Sequence, residues 1–320
     1  MSAASPMSML NGALDKVAGY LDKQLIIIVL FPSLVFWSAL LALVSNHVGW
    51  SVVGEWWNGL RGEQQAILSV GVAAAAVFFA SVLSVQIGAL TRLYEGYWGR
   101  AGRWLAVVGT SVQRKRHARL HPDTDDRDYE FRYRNYPRHQ DDLLPTRLGN
   151  ILLAAELYPS EDGRYGIDAV FFWPRLYAVL PETMRNSLRE ARSSLDLMLI
   201  TSWLSVLFTF VAAIFLAFTG TGTWRPWCLA VGGAGFVALT AYQGAIRAAV
   251  TYGELVRTAF DLYRNKLLIQ LGYASPTSLV EEQKIWRNLG QQLYRRAASD
   301  PTALRYGNAS DKQTEDHEHA

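Results

Sequence analysis

The segment from Pro181 to Gly220 constrains the fold more than any other part of the chain. Arg185, Arg189 and Arg192 follow Pro181 at helical spacing, and from Leu197 to Phe218 no ionisable side chain occurs. An apolar run of that length reads as a membrane span, and the last charge before it, Asp196, marks a membrane surface. A continuous helix over the whole segment would run for roughly 60 Å at about 1.5 Å per residue, of which only ~30 Å fits within hydrocarbon. Its first half therefore stands in solvent.

Three further blocks have the same character. Leu25 to Ser45 is long enough to span, with Pro32 placed to kink it in its first third, and the mixed segment Met1 to Gln24 lacks the short basic form of a cleavable leader. Leu10, Leu14, Val17 and Leu21 give that segment a turn or two of amphipathic helix, expected on the inner membrane surface. The second block, Gln65 to about Leu90, carries Ala76, Ala80, Ser84 and Gly88 at intervals of four, a strip of small residues suited to close helix contact. Trp50, Trp56 and Trp57 precede it as boundary aromatics. In the last block Arg225 and Arg247 bracket an apolar stretch rich in glycine, with Trp224 and Trp227 at its far interface. Gln86 and Gln243 are the main amides in these blocks and are expected to bond between helices.

The fold class that follows is mainly α: a polytopic membrane protein with four transmembrane helices in two antiparallel hairpins and a mostly helical cytoplasmic module. The expected organisation is a cytoplasmic N-terminal segment (1–24), a first hairpin (25–92), the helical module (93–195), a second hairpin (196–249), amphipathic helices (250–297) and a disordered tail (298–320). The outer loops carry only Arg61 and Arg225, whereas Arg92, Arg100, Arg103, Arg185, Arg189, Arg192 and Arg247 cluster at the other ends, which puts both termini in the cytoplasm. The membrane is expected to be the plasma membrane, a bacterial inner membrane on the strength of arginine's dominance over lysine.

Within the module, Trp104 to Val108 is apolar but too short to cross, and reads as a helix that lies on a surface or caps the domain. Tyr129, Phe131 and Tyr133 alternate with Glu130, Arg132 and Arg134, a short strand pattern or an extended arm. Leu148, Ile151, Leu152 and Ala155 recur at helical spacing. Beyond Arg247, Tyr252, Leu255, Val256, Ala259, Phe260, Tyr263 and Leu267 form one apolar stripe, expected to pack on the charged extension before the third span or on the Leu148 to Ala155 helix. Gly272 should stop that helix, and Ser278 with Glu281 forms a capping box for the next.

Chemistry is sparse. His117 and His121 with Asp123, Asp125 and Asp126 have the residue types of a metal site, but Pro122 interrupts any shared helix and charged loops often contain such residues. Arg164, Asp168, Trp173 and Arg175 suit an anionic headgroup or a protein partner; the plainer alternative is that Asp168 caps a helix while the aromatics pack. No Asp or Glu lies inside the four blocks, which argues against proton-coupled transport. The net charge of +3 argues against a nucleic-acid partner, and the single cysteine, Cys228, excludes an internal disulfide. No cofactor is expected. The expected activity is that of a non-enzymatic, membrane-anchored interaction or sensing module, with an oligomeric pore and a lipid-processing enzyme as the alternatives. Membrane lipids, a protein on the cytoplasmic side and further copies of this chain are the expected partners.

Overall fold

The computed structural model describes residues 26–100, 102–118, 127–161, 163–219, 225–295, 300 and 304–306. They are almost entirely helical, and four helices are long and apolar enough to cross a membrane. The amphipathic turn expected within residues 1–24 lies outside the described residues.

The chain divides into two compact units. One contains residues 1–94 and 193–247, the other residues 95–192 and 248–320. In the first, a π-helical turn (Ile26–Leu30) opens into α1 (Phe31–Val48). Pro32 falls at this change of helical register rather than inside regular α-helix, and the buried Ser33 hydroxyl donates to the Val29 carbonyl at 2.7 Å. The tryptophan-rich link forms its own helix, α2 (Trp50–Gly59), in which no residue is buried. α3 (Gly62–Val85) follows and stops at Gln86, after which α4 (Ile87–Glu95) begins. The second block is therefore two helices joined at Gln86, whose N–H still reaches the Val82 carbonyl at 3.3 Å and whose carbonyl accepts the Leu90 N–H at 2.9 Å, and the small strip passes this joint between Ser84 and Gly88.

α9 (Glu182–Thr219) and α10 (Arg225–Gln270) are each unbroken. Both carry an apolar half and a charged half on a single helix, because nothing between Pro181 and Thr219 or between Pro226 and Gln270 breaks the backbone hydrogen-bond ladder. Where they meet in the first unit, the Ser202 hydroxyl donates to the Ala238 carbonyl at 3.0 Å and Met198 lies over Gly244. The Tyr94 hydroxyl joins the same contact, 2.9 Å from the Ser202 hydroxyl.

The second unit contains α5 (Arg103–Ala118), α6 (Arg127–Asn135), α7 (Arg147–Leu157), α8 (Ala169–Val179), the charged halves of α9 and α10, and α11 (Leu279–Arg295). Residues 131–134 are helical, not an extended strand or arm. The inward positions there are Phe131, Arg132, Asn135 and Tyr136, which have helical spacing and include two polar residues that the alternating apolar pattern passes over. The Asn135 amide donates to the Phe131 carbonyl at 2.9 Å, one turn back.

The core of this unit joins Phe172 and Leu176 of α8, Leu188 of α9, Val256, Phe260 and Leu268 of α10, and Trp286 of α11. Of the stripe after Arg247, Val256, Ala259, Phe260 and Leu267 are buried and Tyr252, Leu255 and Tyr263 partly so, in a core shared with Leu188 of the charged extension of α9. α10 ends in a Schellman arrangement: Gly272 has φ +88°, its N–H reaches the Ile269 carbonyl, and the Tyr273 N–H reaches that of Leu268. At the start of α11 the Glu281 N–H reaches the Ser278 hydroxyl at 3.3 Å, while the Glu281 carboxylate accepts from the N–H and hydroxyl of Thr277. The hydroxyl half of the capping box is as expected. The carboxylate reaches one residue further back.

Of the tail, residues 300 and 304–306 are described. The Asp300 carboxylate lies 2.6 Å from the Lys284 ammonium, and Tyr306 pairs with Tyr273 in an isolated bridge with stacked rings 5.4 Å apart.

Candidate functional site

A cleft of about 310 Å³ opens in the second unit, with Trp173, Tyr252 and Phe260 among its walls and Glu95, Glu156 and Arg192 as its charged groups. Each wall has a local cause. Gly253 allows α7 to approach α10, since a Cβ there would stand 3.3 Å from the Ala155 Cβ. α7 is itself fixed at its start, where the Thr146 hydroxyl accepts the Gly149 N–H at 3.0 Å and donates to the Glu95 carbonyl at 2.9 Å. α8 contributes Val170, Trp173 and Pro174. Pro174 has no N–H to offer the carbonyl four residues back, so Val170 places a carbonyl without its helical donor in the same wall.

Glu95 and Glu156 line the cleft together with Arg192, whose guanidinium is held 5.9 Å from the Tyr252 ring centroid. Glu156 keeps much of its surface open, yet partial burial, and then the nearby Asp168 carboxylate, raise its pKa above the ordinary glutamate range. A cation entering beside it would relieve both effects, and the aromatic walls suit a cation with an apolar body.

A second cluster braces α10 on another side. Asp261 accepts from the Tyr165 hydroxyl at 2.9 Å and lies equally close to the Tyr158 hydroxyl. Arg164 donates to that Tyr158 oxygen at 2.7 Å, and its guanidinium covers the Tyr158 ring at 3.9 Å. Arg264 covers the Tyr165 ring at 3.8 Å and forms a 2.8 Å ion pair with Glu282 of α11. The Arg164 carbonyl accepts from the Gln283 amide. These contacts tie the loop after α7 to α10 and α11. Burial raises the Tyr158 pKa to about 12, aided by its bond to Asp261, and raises that of Tyr165 for the same reasons.

Of the four residues singled out for a headgroup or partner, Trp173 lines the cleft and the other three are engaged elsewhere. Asp168 caps α8 by accepting the Phe171 N–H at 3.1 Å. Arg175 donates to the Phe171 carbonyl at 2.7 Å and lies over its ring, and Arg164 belongs to the tyrosine cluster. Asp261 was not singled out by sequence reasoning. It lies 96 residues from Tyr165 and 103 from Tyr158, and no local pattern signals a pairing over that separation. Glu156 carries no sequence signal beyond a single charge on a helix, and Arg192 reads there only as one of the arginines that set the topology.

Among the packing residues, Ala76 and Ala80 are buried, Ser84 is half-buried, and Gly88 is exposed with open space around it. Gln86 and Gln243 are both exposed. Among the described residues no group of three His, Cys, Asp or Glu side chains could hold a metal ion. His117 is half-buried, its pKa lowered by burial and by Arg132, while His121, Asp123, Asp125 and Asp126 lie outside the described residues.

A larger cavity, about 870 Å³, belongs to the first unit. Its lining is apolar apart from Asn46, Thr201 and Ser205.

Comparison with protein-family models, with curated proteins and with solved structures finds no match to this chain.

Proposed function

We propose that the chain is a non-enzymatic, membrane-anchored sensing module whose cleft takes up an amphipathic cation. In this reading the four spans form two antiparallel hairpins in a plasma membrane, both termini are cytoplasmic, and the second unit works at the inner face. The observation that carries it is the make-up of the cleft: the aromatic walls of Trp173, Tyr252 and Phe260 beside Glu156, whose pKa is pushed up by burial and the Asp168 carboxylate and would be restored by a bound cation. α9 and α10 each continue without a break into an apolar segment long enough to span. Ligand contact with the charged half of such a helix gives occupancy a route to the membrane, which is the physical requirement of a sensor. The apolar lining of the larger cavity favours lipid tails as its contents over a conduction path within one copy.

The test is native mass measurement of the full chain in mild detergent, with retained small molecules identified. Val170, an exposed cleft residue, is replaced by tryptophan to fill the space, and Val280, exposed on α11, serves as the control position. A cationic amphiphile retained by the parent and by Val280→Trp but lost from Val170→Trp is the expected result. Identical retention in all three proteins sinks the proposal.

A further inference from the structure

α5 is packed the wrong way round for a helix of a water-soluble surface. Its large apolar side chains, Trp104, Leu105, Val107, Val108 and Val112, are all exposed, Trp104 at 67% and Val107 at 64%. Its inward positions are Ala106, Gly109, Thr110, Gln113 and His117. An amphipathic helix ordinarily buries its apolar stripe. Here the small and polar residues make the contact instead, and the contact is built for them: a Cβ on Gly109 would stand 2.6 Å from the Pro145 Cβ and 3.0 Å from the Pro145 carbonyl oxygen. Pro145 also closes on Gly96, where a Cβ would stand 2.3 Å from its ring. No side chain fits at position 109 without displacing Pro145, so the outward register of Trp104 and Val108 is set by backbone packing.

We propose that α5 lies in the lipid–water interface of the membrane that the four helices span, with its outward apolar face at the acyl boundary and its basic ends on anionic headgroups. Charge selects this occupant. α5 contains no acidic residue, and Arg100 and Arg103 precede its apolar stripe while Arg114, Lys115 and Arg116 follow it, all five exposed. Among the described residues, only Arg114 of these has an acidic partner, an exposed contact with Asp141. A tryptophan-bearing apolar face flanked by arginine and lysine has the make-up of an interfacial helix drawn to anionic lipid. The chain also arrives from the right place. α5 follows α4 after the link Gly96–Gly102, whose Gly96 and Gly99 take positive φ and turn the backbone, and α4 follows the spanning helix α3 after the joint at Gln86. The proposal rests on the spanning of the four helices and is independent of the cleft.

The experiment uses the full chain in a Cys228→Ser background, spin-labelled at Val108→Cys, Val112→Cys, Phe210→Cys or Glu190→Cys. Each protein is placed in nanodiscs of phosphatidylglycerol and phosphatidylethanolamine. Phe210 is an exposed residue within the third apolar block and serves as the hydrocarbon reference; Glu190 is exposed on the charged half of α9 and serves as the wet one. At Val108 and Val112, collisions with oxygen should exceed those with a water-soluble nickel chelate, as at Phe210 and opposite to Glu190. Replacing Arg103, Lys115 and Arg116 together by glutamine should move the Val108 label toward the Glu190 value. A Val108 label as open to nickel as Glu190, with Phe210 still dry, overturns the proposal. So do low collision rates with both reagents, which would place a second copy or another protein on this face. An unchanged Val108 label in the triple variant overturns the role of anionic headgroups, and a wet Phe210 label overturns the spanning of the membrane itself.

Discussion

The hydroxyl of Tyr158 lies 2.9 and 3.1 Å from the two oxygens of the Asp261 carboxylate, joining the loop after α7 to the charged half of α10. Tyr165 bonds the same carboxylate, so one side chain of α10 organises two aromatic residues and, through their rings, two arginines. The consequence is a pH dependence at the alkaline end. The Tyr158 pKa is near 12 in the folded chain, against about 10 for an unperturbed tyrosine. Between those values the folded state keeps a proton that the unfolded state has lost, and stability therefore falls as pH rises through that window. Below pH about 10 the contribution is fully present. Tyrosinate absorbance of the folded chain should show its last titration near 12, and Tyr158→Phe should remove it. An unchanged alkaline limb in that variant would refute the assignment.

Asp261→Asn tests the same relationship at neutral pH. The amide removes the negative charge and leaves one acceptor oxygen for two part-buried tyrosine hydroxyls, and hydrogen bonds to a charged group are worth roughly 1.5–3 kcal/mol. The second unit should become more sensitive to protease, whereas the same change at exposed Asp141 should not alter the digestion rate. Equal rates in both variants would show that the tyrosine cluster contributes nothing to stability.

Gly149→Ala should be strongly destabilising although alanine is the better helix former. A Cβ at this position would stand 2.2 Å from the Glu95 carbonyl oxygen, a backbone atom with no freedom to yield. The propensity gain is about 0.8–1 kcal/mol, while overpacking typically costs about 1–3 kcal/mol. Gly253→Ala is the milder comparison, because its Cβ would meet the Ala155 Cβ at 3.3 Å. Thermal unfolding should place Gly149→Ala below Gly253→Ala. The reverse order would mean that the Glu95 contact yields easily.

The long elements were legible because their signals are one-dimensional. The last charge before the third apolar block, Asp196, and the unbroken helix potential on either side of it make α9 readable from spacing alone, and Gly272 announces the end of α10 in the same way. The site was not legible, since its groups meet only in three dimensions. Glu156, Arg192 and Tyr252 lie on three different helices, and Asp261 finds partners about a hundred residues away. α5 was legible as a helix too short to cross, on a surface or capping the domain, but a helix ordinarily buries its large apolar side chains, and here Trp104 and Val108 are exposed. The Gly109–Pro145 contact reverses the ordinary order, and a close backbone approach leaves no trace in hydropathy.

Within the second apolar block, Ala80→Leu should lower folding yield and Gly88→Leu should not. Ala80 is 1% exposed, whereas a Cβ at Gly88 meets nothing within 4 Å. Overpacking at the first site is expected to cost about 1–3 kcal/mol. The two residues share one strip in the sequence, so a difference between them separates a contact confined to one side of the joint at Gln86 from a continuous small-residue seam. Equal yields, measured as monodisperse protein after extraction, would restore the continuous strip.

Orientation in the membrane is the last prediction. Arg61 and Arg225 are the only basic residues of the expected outer loops, against seven arginines near the opposite helix ends: Arg92, Arg100, Arg103, Arg185, Arg189, Arg192 and Arg247. Basic residues in short loops are retained on the cytoplasmic side, so Gly59 and Thr223 should face outward and Asp125 and Thr314 inward. Gly59 closes α2, while the other three positions lie outside the described residues. The sole cysteine, Cys228, is exposed and must first be removed as Cys228→Ser. Single cysteines are then introduced at the four positions and treated in intact cells with a membrane-impermeant thiol reagent. Labelling at 59 and 223 alone is expected, with labelling at 125 and 314 only after the cells are opened. Labelling at 125 in intact cells would invert the topology, and with it would move the cleft and the basic ends of α5 to the outer face.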